Sequence, residues 1–188
     1  MVNFKTTQTI KNLTLSAILV SLGVIFSFID IMISRTAFPF LPTAKIGIAN
    51  IIILIGVYAF DFKISLSMSI LKAALTGLIL GNMISFMISM SATLVSFIIM
   101  FLAHKGFKNK TSMVGVSVLG GFAHIVTQLI VVSIVYRLGD LVILYGALLV
   151  FVSLITSIII GIVSNKLFSY LNGRNLMGNT INDEISRR

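Results

Sequence analysis

The chain has 188 residues, of which 57% are hydrophobic and only 10% charged, and its mean hydropathy is +1.11. These values exclude a soluble globular domain as the main reading and mark an integral membrane protein, with a length that suits one compact helical domain. The absence of cysteine excludes a disulfide framework and any thiolate metal site, and the net charge of +9 has to be explained by where the basic residues fall.

The first apolar run, 13–33, follows Lys5 and Lys11 as a secretory signal would. It continues through "LVSLGVIFSFIDIMIS" without a convincing small-residue cleavage site, so it reads as a retained helix. Within it Ala17 and Ser21 form a small-xxx-small step, a spacing that lets another helix approach closely, and Gly23 with Ser27 repeats the spacing on an adjacent face. Packing within the subunit and docking of a partner both account for such steps.

The next segment, "SRTAFPFLPTAK" (34–45), is the longest external connection and is unusually apolar. Pro39 and Pro42 stiffen it, while Phe38, Phe40 and Leu41 favour burial. A loop of this kind either anchors in the membrane interface or closes over a cavity as a lid. Lys45, near the membrane boundary, serves as a snorkelling anchor or as a ligand contact.

Further apolar runs fall at 46–60, 64–81, 84–103, 114–136 and 140–164. Spanning takes about 20 apolar residues, so the second and third runs are marginal, and "YAFDFK" (58–63), with Asp61 and Lys63, marks a tight hairpin between them. The expected fold is all-α: a polytopic bundle of six transmembrane helices over 13–165, flanked by a cytoplasmic N-terminus (1–12) and a flexible cytoplasmic tail (166–188).

Alternate loops carry unequal numbers of basic residues. One side receives Lys5, Lys11, Lys63, Lys105, Lys108, Lys110, Lys166, Arg174, Arg187 and Arg188, and the other only Arg35, Lys45 and Arg137. This asymmetry predicts that both termini are cytoplasmic. The cluster "HKGFKNK" (104–110) then reads as a cytoplasmic loop beside anionic lipid headgroups, and no nucleic-acid partner is implied.

Lys72 lies inside the third run, eight or nine residues from either end, or about 12 Å at 1.5 Å per residue, too deep for easy snorkelling. It is expected to face protein or water. Ser65, Ser69, Lys72 and Thr76 recur at helical spacing, Ser85, Ser89, Thr93 and Ser96 do so in the fourth run, and His124 and Gln128 share a face of the fifth, with Gly121 one turn away. Asn50 is expected one turn inside the outer end of the second run. Hydroxyls bonded to their own or a neighbouring helix would explain the stripes, and a polar pair such as His124 and Gln128 can lock two helices together. A lysine at this depth costs at least ~2.5 kcal/mol on insertion scales, which makes ligand contact its favoured reading over bonds to carbonyls.

"PTAKIGIANIIIL" (42–54), "LKAALTGLILG" (71–81) and "GVSVLGGFAHIVTQL" (115–129) together resemble the Gx transporter family, often labelled heptaprenyl diphosphate synthase component I. That family in turn resembles the substrate-binding S components of energy-coupling factor (ECF) transporters. The resemblance covers about 13–165 and marks Pro42, Lys45, Gly47, Asn50, Lys72, His124 and Gln128. The chain departs from the pattern at Ile125, where the family tends to have asparagine, and at "ISMSATLVS" (88–96), where it tends to be glycine-rich.

The resemblance implies a six-helix subunit of the bacterial plasma membrane. It would capture a vitamin-like small molecule, flavin first and quinone or isoprenoid precursors second, and act with a coupling transmembrane subunit and two ATPase subunits. By the same resemblance Ala17 and Ser21 dock the coupling subunit. No phosphate-binding glycine-lysine loop is present. Of five acidic residues only Asp183 and Glu184 are adjacent, too few carboxylates to hold magnesium on a diphosphate. The chain is therefore expected to be no enzyme and to need neither metal nor cofactor, with a non-catalytic accessory subunit of prenyl diphosphate synthesis as the alternative.

Overall fold

The computed structural model describes residues 4–37, 46–80, 83–107, 111–137 and 141–173, and the described residues form six helices. They are α1 (Phe4–Ala37), α2 (Asn50–Ala59), α3 (Phe62–Leu80), α4 (Met83–Phe107), α5 (Met113–Tyr136) and α6 (Leu141–Gly173). The only two prolines of the chain, Pro39 and Pro42, lie in the α1–α2 connection, so no helix is interrupted by one. Among the described residues, five helices are long and apolar enough to cross a membrane. In lipid every backbone N–H and C=O must be bonded internally, which a long uninterrupted helix achieves alone. The protein is a membrane-embedded helical bundle.

Two expectations need correction, the length of the second helix and the position of Asn50 in it. The run 46–60 yields a helix of only ten residues, about 15 Å long at 1.5 Å per residue, half the ~30 Å hydrocarbon core. Its first four residues are spent on a non-helical approach, and Asn50 opens the helix instead of lying a turn inside it. α1 begins at Phe4, within the expected N-terminal segment, and α6 runs to Gly173, through the first eight residues of the expected tail. The loop residues Phe38, Pro39, Phe40, Leu41, Pro42 and Lys45 lie outside the described residues.

α2 is the hub. It packs against all five other helices, which follow one another around it as α1, α3, α4, α5 and α6. Its residues from Asn50 to Val57 are all buried, and Ile52, Leu54 and Ile55 join Phe97 and Met100 of α4 and Val116 of α5 in the main core. Because the helices alternate in direction, one end of the bundle carries the α1–α2 connection (the loop end) and the other carries the start of α1 and the end of α6 (the termini end).

Glycine and serine close the seams. A Cβ on Gly161 would meet the Val114 backbone Cα at 2.6 Å, so α6 lies directly on α5 there. Ser157 packs over Gly121, the Ser117 hydroxyl donates to the Ser157 carbonyl at 2.7 Å, and the Ser96 hydroxyl donates to the Gly120 carbonyl at 2.8 Å. Small residues allow this approach, and their hydroxyls add interhelical bonds.

Candidate functional site

The α2–α3 hairpin is built as its sequence predicts. α2 ends at Ala59, α3 starts at Phe62, and the Ser65 hydroxyl donates to the Gly56 carbonyl at 2.8 Å and to the Phe60 carbonyl at 3.2 Å. α3 then rises with Ser65, Ser69, Lys72 and Thr76 all buried, so the predicted polar stripe faces the interior. Two of its hydroxyls are consumed locally: Ser69 donates to the Ser65 carbonyl at 2.9 Å and Thr76 to the Lys72 carbonyl at 2.8 Å. For them the packing explanation is sufficient.

Lys72 is 4% exposed, the eleventh of nineteen residues in α3. Gly23 of α1 makes room for it, since a Cβ there would lie 3.3 Å from Lys72 Cγ and 3.4 Å from Ile52 of α2. The α1 span Thr9–Thr36 has its middle at residues 22 to 23, so Gly23, Ile52 and Lys72 meet midway through the bundle. Gly23 and Ser27 thus face inward, and Ser27 donates to the Gly23 carbonyl at 2.9 Å. Ala17 and Ser21, by contrast, are exposed on the outside of α1.

Asn50 is two residues from Ile52, on the loop side of that level, and is 3% exposed. The approach to it is tight. Gly47 has φ of +100°, a conformation glycine adopts without strain. The Asn50 N–H donates to the Gly47 carbonyl at 2.9 Å, and Asn50 Oδ1 is buried with no hydrogen bond. The Gly47 and Asn50 elements of the sequence motif therefore form one turn, whose purpose is to start a helix inside the bundle.

His124 and Gln128 are both buried and on one face of α5, with His124 at the middle of its span. Each makes further contacts within the protein. Thr93, at the middle of α4, is fully buried with Oγ1 unbonded. The structure thus places Asn50, Lys72, Thr76, Thr93, His124 and Gln128 inside the bundle, at or on the loop side of its middle. Lys72 and Ile52 of α2 both pack against Gly23 of α1, and α4 and α5 carry their polar residues on helices that also pack against α2.

Asp30, toward the loop end of α1, is a residue of this region that helical spacing did not single out. It is 1% exposed, and its two carboxylate oxygens accept the N–H groups of Ile46 and Gly47, both at 2.9 Å. An acid in the middle of "FSFIDIMIS" (26–34) was the available signal. Its partners could not be read, because they are backbone groups that every residue carries.

Comparison with curated proteins and with solved structures yields no match. The family model described as heptaprenyl diphosphate synthase component I matches residues 19–167, from the inward half of α1 to the last turns of α6, and so takes in Asp30, the Gly47–Asn50 turn, Lys72, His124 and Gln128. The chain belongs to the heptaprenyl diphosphate synthase component I family.

Proposed function

We propose that this chain is the substrate-binding subunit of an ECF-type transporter, which captures a vitamin-like small molecule at the loop end of the bundle for transport powered by partner ATPases. The observation that carries the reading is Lys72: a lysine buried midway through a membrane bundle, beside the first turn of a helix that itself begins inside. Buried intramembrane ionisable residues mark substrate or ion sites by default, and helices that start within the membrane recur at transporter binding sites. Asn50, His124 and Gln128 supply polar contacts at the same depth, and a flavin is the first candidate ligand.

The outward-facing Ala17 and Ser21 fit docking of a coupling subunit, because a small-xxx-small step on an exposed helix face admits a partner helix. The basic asymmetry of the loops supports cytoplasmic termini in the bacterial plasma membrane. The chain has no catalytic role in this reading and uses no cofactor. Mass spectrometry of small molecules that co-purify in mild detergent tests it: a stoichiometric flavin or other vitamin is expected. Recovery of a prenyl diphosphate or quinone precursor instead would favour the second reading, a non-catalytic accessory subunit of isoprenoid synthesis, to which the family description points.

A further inference from the structure

Residues 46–49 are non-helical backbone packed inside a membrane bundle, and such backbone is tolerated in a membrane only where its polar groups are satisfied by protein. Asn50 and Ile51 bond back to the carbonyls of Gly47 and Ile48 at 2.9 and 3.2 Å. The N–H groups of Ile46 and Gly47 have no such local partner, and both go to Asp30, sixteen and seventeen residues earlier on α1. A carboxylate suits this task, since it has two acceptor oxygens and makes charge-assisted bonds stronger than neutral ones.

We propose that Asp30 is a positioning residue for the binding site: its carboxylate clamps Ile46 and Gly47 to α1 and thereby sets where α2 begins and where Asn50 is held. The alternative, that α2's own N-terminus is an anion site, is disfavoured because the amides of Asn50 and Ile51 are already used in the turn. Asparagine at position 30 would be nearly the same size, yet it offers one acceptor oxygen and turns an NH₂ toward the second N–H, leaving that donor buried and unpaired.

The test exploits the absence of cysteine, which makes any introduced cysteine a unique reporter. Ala49 is 3% exposed, so A49C should label slowly with a small maleimide in detergent. Adding Asp30→Asn should raise the labelling rate at least tenfold while helix content and the thermal midpoint by circular dichroism stay close to those of A49C alone. In the same preparations, D30N without the reporter should bind riboflavin at least tenfold more weakly than the wild type. Unchanged labelling overturns the proposal, and so does collapse of the whole bundle, which would make Asp30 a general structural residue.

Hydrogen exchange on the wild type needs no variant. The peptide covering 46–49 should keep its amide protons as long as α2 does, and exchange as fast as in an open loop would refute the clamp. The riboflavin arm alone rests on the transporter reading. If the wild type binds no riboflavin, the flavin assignment fails while labelling and exchange still decide the role of Asp30.

Discussion

The α5–α6 seam and the corner where α1, α2 and α3 meet both bury polar side chains in an apolar chain, to different ends. At the seam the groups are small and spent on each other: Ser117 donates to the Ser157 carbonyl, Ser157 fills the space over Gly121, and Gly161 lets the two backbones touch. At the corner the groups are ionisable, Asp30 and Lys72, and α2 is a short helix that begins inside the bundle, so that Asn50 is buried. The difference teaches that serine and glycine spacing marks packing in this protein, whereas a buried ionisable group beside non-helical backbone marks the candidate site.

Breaking the seam should have the largest effect. Gly161→Leu places a branched side chain where even a Cβ meets the Val114 backbone, and overpacking of this kind costs ~1–3 kcal/mol, more when backbone must move. Loss of a monodisperse peak in size-exclusion chromatography and a large drop in thermal midpoint are expected. A normally folded variant would show that the seam is slack.

The reverse side of α1 offers a contrast within one helix. Enlarging Ala17 and Ser21 to Trp should abolish co-purification with a coupling subunit and cellular uptake, while the isolated protein keeps its fold and its ligand, because both residues are exposed. Loss of folding together with association would move this face into the core of the comparison.

At the corner, Lys72→Met removes the charge but keeps an unbranched side chain against Gly23. It should leave the helical fold intact and weaken binding of the co-purifying molecule more than tenfold by titration, about 1.4 kcal/mol or more. Unchanged affinity in a folded variant would reduce Lys72 to a packing residue.

The smallest effects separate the two kinds of hydroxyl. Ser117→Ala removes an interhelical bond and should cost about 0.6 kcal/mol, up to about 1.7, in a reversible unfolding assay. Ser69→Ala removes a bond to its own helix and should be close to neutral, since back-bonding of this type does little for stability. Equal costs would erase the distinction between seam and stripe.

Much of this protein was legible in its residues. Composition determined the membrane class, the apolar runs located all six helices, and Asp61 with Lys63 marked the α2–α3 turn, because lipid imposes a length and a polarity that a sequence cannot disguise. Helical spacing placed Lys72, Thr76, His124 and Gln128 on inward faces for the same reason, since a face that meets lipid must be apolar. What only the tertiary structure decided is how the apolar run 46–60 divides and what Asp30 does. Hydrophobicity is equally high in a helix that spans and in one that is buried on every side, so the run could not announce that it becomes a ten-residue hub. The bonds that hold its start run from a side chain on α1 to two backbone amides sixteen and seventeen residues away, and an amide has no signature in sequence until folding brings its acceptor to it.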